Sequence, residues 1–299
     1  ARTEELVIEI AERRDKPVSM VPLMALLRKH FKPMQEHYGW GTNPYYYLAG
    51  KYGIHPTYIQ EMLSDSRYDE EDLLAVIEHL RVEGGKKFSV NTLDAARHFY
   101  RVEAQGSWSP KKTFEGRHVL LLGTGPGVER HHKALERYIR ETKPVVVALN
   151  TQSGLDAELI DLRVACHPVR LLADCDEHAR LPQPLITPFS MLPDDVRRAL
   201  AGKEILDFGL NVAPGKFSFG TVHCTLPTSL VVAYALAVVT SGNASKVLMA
   251  GFDGFGADDP RSHEMKQLFE QYQATDQAVS LVAITPTRYG LQTESVYAL

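Results

Sequence analysis

A chain of 299 residues holds one large domain or two ordinary ones. Its 44% hydrophobic and 23% charged residues exclude a disordered or fibrous protein. A formal net charge of −4, from 33 basic and 37 acidic side chains, excludes a general attraction to nucleic acid or to an anionic membrane. The three cysteines, Cys166, Cys175 and Cys224, are too few and too irregularly spaced for a disulfide scaffold or a structural zinc site, and they fit a reducing compartment. Residues 1–14 are charged and amphipathic and do not read as a signal peptide. The longest apolar run, 230–239, falls well short of the roughly 20 residues that span a bilayer. A soluble, cytoplasmic protein is expected.

In chain order, residues 1–100 read as helices. The aromatic stretch from Trp40 through Gly41 to Tyr47 reads as a glycine-broken turn entering a helix that carries Leu48 and Tyr52. Leu73, Val76, Ile77 and Leu80 repeat at helical spacing, with acidic residues at 69–72 placed for the first turn. Asn91 followed by Asp94 resembles a helix start, with Leu93, Ala96 and Phe99 on one face. Residues 106–116 carry Ser107, Ser109, Pro110 and Gly116 without periodicity and read as a linker.

Beyond it, short apolar runs at His118–Leu122, 144–149, 204–208, Lys246–Ala250 and 279–284 alternate with helices, the pattern of a mainly parallel sheet covered by helices. The segment 226–240 is apolar almost all round and reads as a buried helix, with Pro227 tolerable only in its first turn. The expected fold class is α/β: a Rossmann-like, mainly parallel sheet domain over 117–299, preceded by an all-helical domain over 1–105, with 106–116 between them.

The first apolar strand runs into Gly123-Thr124-Gly125-Pro126-Gly127, a turn able to present backbone N–H groups to a phosphate, or simply a sharp bend. A dinucleotide fingerprint wants glycine at its sixth position, where Val128 stands, and an acidic residue about twenty positions on, where the second strand ends in Asn150. Both departures argue against a nicotinamide site. Asn150, at a strand's carboxyl end, is placed to bond a base or sugar.

A second strand empties into Gly251-Phe252-Asp253-Gly254, bringing Asp253 toward the same cleft as a sugar, base or metal contact, or merely as a turn former. Ser262 reads as a helix cap and His263, in the first turn, as a candidate general base. His167 and Arg170 with Asp174, Asp176, Glu177 and His178 carry metal-capable groups without a standard ligand spacing. Lys216, Ser218 and His223 would complete an anion site, and Arg288 with Tyr289 follows another strand end.

Two family resemblances rest on these stretches. Residues 1–7, 22–34, 45–49 and 51–63, including Pro22-Leu23-Met24 and Gly53-Ile54-His55-Pro56, resemble the carboxyl-terminal helical (communication) region of 4-hydroxy-2-oxovalerate-type, HMG-CoA-lyase-like aldolases. That resemblance implies the carboxyl-terminal part of a longer enzyme whose amino-terminal aldolase barrel is a missing partner. It also implies self-association through the apolar face the barrel would cover.

Residues 117–299 resemble the bacterial sialyltransferase-like domain that also occurs in motility-associated glycosyltransferases. The match runs through Gly123 to Gly127, with Thr124 in place of that family's asparagine and Gly127 in place of its serine, through Asn150, and through 240–256. This resemblance implies a CMP or CDP nucleotide or a CMP-sugar as ligand, with no tightly bound cofactor, and transfer of an acidic sugar to a small-molecule hydroxyl acceptor. It implies Gly123, Thr124, Gly125, Pro126 and Gly127 on phosphate, Asn150 and Asp253 on nucleoside or sugar, and His263 as base on the acceptor. Lys216 and Arg288 are expected to stabilise the departing phosphate. Two alternatives stand beside it. One is a non-catalytic scaffold; the other is magnesium-dependent pyrophosphoryl transfer, which requires Asp174, Asp176 and Asp253 to converge.

Overall fold

A computed structural model describes residues 3–14, 19–38, 43–54, 56–64, 73–74, 77, 81, 104–256 and 259–299. The expectations at Trp40 to Thr42, at 69–72, at Val76 and Leu80, and at 91–99 lie outside the described residues. The chain divides into two compact units, residues 1–86 and 87–299.

The described part of the first unit is helical. It comprises α1 (Thr3–Arg13), α2 (Val21–Leu26) running through a π-helical turn (Leu27–Phe31) into α3 (Lys32–Tyr38), then α4 (Pro44–Tyr52) and α5 (Pro56–Ser64). Local chemistry fixes α4 at both ends. Asn43 Oδ1 accepts the Tyr45 N–H at 2.8 Å, Pro44 stands where an N–H is not needed, and Gly53 turns left-handed at φ 69°. Ala49, Ile54, Tyr58, Ile59, Met62, Leu73 and Ile77 are buried.

The second unit is an α/β sandwich. Its segment 106–116, expected as a linker, is instead packed into the unit. Ser107 and Trp108 donate their N–H groups to Asp207 O at 2.9 Å each. A Cβ on Gly106 would meet Val222 O at 2.2 Å. A short helix, α6 (Lys111–Phe114), buries Phe114 completely.

From there the chain forms β1 (His118–Leu122), α7 (Gly127–Arg130), α8 (His132–Thr142), β2 (Val145–Leu149), β3 (Leu162–Val164), α9 (Pro168–Ala173), α10 (Cys175–Arg180), β4 (Leu185–Thr187), α11 (Asp194–Ala199) and β5 (Ile205–Asp207). A second, three-stranded sheet follows, from β6 (Gly209–Val212), β7 (Ser218–Phe219) and β8 (His223–Leu226), in the order β6-β8-β7. The chain closes with α12 (Val231–Ser241), β9 (Lys246–Ala250), α13 (Pro260–Gln273), β10 (Leu281–Ala283) and β11 (Gln292–Thr293).

The main sheet has eight strands in the order β11-β10-β9-β1-β2-β3-β4-β5, every adjacent pair parallel. In register, Leu120 lies between Val146 and Leu248. Alternate residues serve opposite faces. Leu120, Leu122, Val146, Ala148 and Leu248 pack with Leu135, Tyr138 and Ile139 of α8, whereas Val119, Leu121, Val147, Val247 and Met249 pack with α12. Both faces are covered, so the strands read as unbroken apolar runs.

Helix α12 shares its cluster with Leu210, Cys224 and Leu226 of the second sheet and with Leu268, Phe269 and Tyr272 of α13. It has neighbours on every side, and residues 232–240 are all buried. Contrary to the expectation from sequence, Pro227 does not stand in the first turn of this helix. Leu226 still belongs to β8, and Pro227 lies in the connection before the helix begins at Val231.

Candidate functional site

The sheet order places β1 between β9 and β2. From β1 the chain builds outward to β5 on one side, then crosses to β9 and builds outward to β11 on the other. The carboxyl ends of β1 and β9 therefore flank the topological switch point, where open parallel sheets form their ligand crevice. Both glycine loops singled out in the sequence emerge there.

They interlock. Gly123 donates its N–H to Ala250 O at 2.8 Å, and Gly125 donates to Gly251 O at 2.9 Å. Gly127, the first residue of α7, donates to Asp253 Oδ2 at 3.1 Å. A Cβ at position 125 would lie 2.4 Å from Asp253 Oδ2, and one at 127 would lie 2.9 Å from both carboxylate oxygens.

The glycines are thus required by the close approach of the second loop. The three glycine amides that were expected to face a phosphate are donated inside the protein, and a carboxylate, Asp253, stands at the turn. Thr124 and Pro126 lie on the exposed side of the turn.

The loop after β10 holds the Asp253 loop from its other side. Thr285 Oγ1 accepts the Gly251 N–H at 3.0 Å, and Thr287 Oγ1 donates to Phe252 O at 2.6 Å. Arg288 donates its backbone N–H to Asp253 O at 3.1 Å, and its Nη1 donates to Phe255 O at 3.0 Å. Gly254 sits at φ 96°, a conformation side chains avoid. The Arg288 guanidinium is exposed at the mouth of the crevice.

Asn150 follows β2, the strand beside β1, and adopts φ 55°. Asparagine tolerates that left-handed backbone better than most residues, which by itself accounts for its presence. Its N–H donates to Val164 O at 2.9 Å, and its side-chain amide makes no hydrogen bond among the described residues.

Its carbonyl is held from below by Arg163, which sequence reasoning missed. Only 2% exposed, Arg163 donates through Nη1 to Asn150 O at 3.0 Å and Thr151 O at 2.7 Å, and through Nε to Gln183 Oε1 at 2.9 Å. Burial lowers its pKa, with Glu177 acting in the opposite direction. The signal in the sequence was a lone arginine inside the apolar run Leu162-Arg163-Val164-Ala165.

Among the described residues, His263 and Lys216 make no hydrogen bond or ion pair with the two glycine loops. His263, the fourth residue of α13, is exposed, with Nε2 2.8 Å from Gln267 Nε2. Ser262 is not the cap of that helix. Asp259 is, accepting the Arg261 N–H at 2.9 Å, while Ser262 Oγ donates to Gly256 O at 2.9 Å. Lys216 is exposed in the turn between β6 and β7 of the second sheet.

Asp174 is occupied by Thr151 Oγ1 at 3.2 Å and Arg170 Nε at 3.0 Å, and Asp176 is exposed. His178 is fully buried with neither ring nitrogen hydrogen-bonded, and burial pushes its pKa down to about 4. Among the described residues no group of three or more His, Cys, Asp or Glu side chains is arranged to hold a metal ion. The convergence of Asp174, Asp176 and Asp253 that pyrophosphoryl transfer requires is not found there. No helix among the described residues is long and apolar enough to cross a membrane.

No protein-family model matches the chain, and no curated protein does. Among solved structures, it is similar to that of MAf glycosyltransferase from Magnetospirillum magneticum AMB-1, with a TM-score of 0.49 and 12% identity. The match covers 76% of this chain and 42% of that one, so the chain spans less than half the length of that structure. No residue role is taken from this similarity. For the aldolase-tail resemblance of residues 1–100 these comparisons supply no support.

Proposed function

We propose that the α/β unit binds a cytidine nucleotide or CMP-sugar at the β1/β9 crevice and transfers an acidic sugar to a hydroxyl acceptor. The observation that carries this reading is the meeting of both glycine loops at the topological switch point, with Asp253 fixed by Gly127. Asp253 Oδ1 accepts a ribose or sugar hydroxyl, and the free amide of Asn150 meets the base or sugar. Arg288 uses its remaining guanidinium donors on the phosphate and stabilises the negative charge that develops as CMP leaves.

In the transfer step the acceptor oxygen bonds to the anomeric carbon while the bond from that carbon to the phosphate oxygen breaks. The electron pair leaves with CMP, and the acceptor proton passes to His263 as general base once its exposed imidazole exchanges Gln267 for the acceptor hydroxyl. Were magnesium required, the Asp253 carboxylate would be its protein ligand, and the ion would neutralise charge on the substrate phosphate. The helical unit, on the residues quoted above, is proposed as the tail that docks an aldolase barrel.

One observation favours a second reading. The internal use of the Gly123, Gly125 and Gly127 amides suits a scaffold that binds a ligand or partner without chemistry. Calorimetric titration with CMP, CDP, UDP, NAD and ATP, with and without magnesium, separates the two. Binding of CMP or CDP that is lost in Asn150→Ala supports the transferase reading and leads to assays of donor hydrolysis. Binding of no nucleotide gives the scaffold reading precedence.

A further inference from the structure

Among the described residues from 104 onward, the exposed large hydrophobic side chains are Phe255, Tyr297 and Leu299. Two of these belong to the last three residues of the chain. Phe255 is different: it lies two residues after Asp253, in the loop that follows β9, and is 37% exposed. An aromatic ring left in water at that place has no packing explanation on its outer side.

The ring is also held still. Arg261 places its guanidinium carbon 4.2 Å from the ring centroid, covering one face. That guanidinium is itself fixed by Asp259, with Nε to Oδ1 at 3.0 Å, Nε to Oδ2 at 3.1 Å and Nη2 to Oδ2 at 2.6 Å. The backbone of Phe255 is tied at its carbonyl, which accepts Arg288 Nη1 at 3.0 Å. Ser262 Oγ holds the next carbonyl, that of Gly256, at 2.9 Å, an anchor at the loop's far end. Arg261 stands against one face of the ring, and the residue keeps 37% of its surface exposed.

The geometry points to Phe255 as a stacking platform for a planar nucleobase, backed by the Arg261–Asp259 pair. This rests on the nucleotide reading of the β1/β9 crevice and adds the residue that receives the base. Within a few residues the loop system offers an aromatic face, the Asp253 carboxylate and the Arg288 guanidinium. Those match the base, the hydroxyls and the phosphate of a nucleotide in chemical type. Stacking is tolerant of which base is bound because every base has a π-face, so Phe255 contributes affinity rather than cytosine specificity. A pre-fixed ring loses little conformational freedom on binding, which favours this use of it.

The test compares CMP with ribose 5-phosphate, which lacks the base, on the full chain by calorimetry. Phe255→Leu is expected to weaken CMP binding by about tenfold and to leave ribose 5-phosphate unchanged. Phe255→Tyr keeps an aromatic face and is expected to bind CMP within about twofold of the original chain. Position 255 is at the surface, so folding is checked by the melting temperature, which should not move in either variant.

Equal CMP binding by Phe255→Leu and the original chain overturns the platform while leaving the nucleotide site standing. Equal weakening of CMP and ribose 5-phosphate also overturns it, because the effect would then come from the loop and not the base. Failure of the original chain to bind either probe overturns the nucleotide site, and the platform with it.

Discussion

Gly127 donates its backbone N–H to a carboxylate oxygen of Asp253 at 3.1 Å, joining two loops that are 126 residues apart in the chain. The contact defines the crevice and explains its glycines. Through it the first loop orients a carboxylate of the second.

The closeness of the two loops can be read by adding single methyl groups. Gly125→Ala places a Cβ 2.4 Å from Asp253 Oδ2 and 2.5 Å from Gly251 O, and backbone cannot retreat as a flexible side chain can. A loss of about 1–3 kcal/mol is expected in urea unfolding. Gly256→Ala is the control, since nothing lies within 4 Å of its Cβ, and its change should stay within about 0.5 kcal/mol.

Arg163 should behave as a buried charge whose partners are carbonyls. Arg163→Met leaves Asn150 O, Thr151 O and Gln183 without their donor, and a destabilisation of about 2–4 kcal/mol is expected from denaturant melts. Arg163→Lys should recover only part of it, because an ammonium cannot reproduce the fork that reaches three acceptors. In a chain that binds nucleotide, the lysine variant should lose affinity as the Asn150 turn loosens, measured by the same calorimetry.

Acid should unfold the protein partly through His178. Its folded pKa of about 4 lies below the ordinary value of 6.5, chiefly through burial, so the native state keeps it neutral while the unfolded chain takes up a proton. Its contribution is therefore fully retained above pH 6.5 and is lost as the pH falls from 6.5 toward 4, by roughly 3 kcal/mol in total. Urea midpoints measured across that window should fall, and should fall less steeply in His178→Leu. A His178→Leu chain with the same pH slope as the original would remove this assignment.

Arg288 is the exposed cation of the crevice, and its side chain makes one hydrogen bond, to Phe255 O. Arg288→Ala should leave stability within about 0.5 kcal/mol. It should weaken CMP binding by about tenfold, as expected for loss of a charge-assisted contact to phosphate. Added salt should weaken binding to the original chain more than binding to the variant.

Much of this architecture was legible from local pattern. The runs at His118–Leu122 and Lys246–Ala250 are each five residues long, buried on both faces, and followed at once by glycine, so strand and turn could be read from the residues themselves. The three-residue strands β3 and β4 were not legible, because each is too short to show a period and β3 carries Arg163 at its centre. The second sheet was hidden for the same reason, behind Pro214, Gly215 and Lys216.

The sequence by itself determined that two glycine-rich loops follow two buried parallel strands and that a carboxylate stands on one of them. Only the tertiary structure decided that β1 and β9 are neighbours. With that adjacency came the loss of the Gly123, Gly125 and Gly127 amides to the facing loop, the seating of Asp253 on the turn, and the placement of Arg163 beneath Asn150. The physical reason is range. Burial period, turn chemistry and capping act over a few residues, whereas an amide's hydrogen-bond partner is chosen by whatever the sheet order brings within about 3 Å of it.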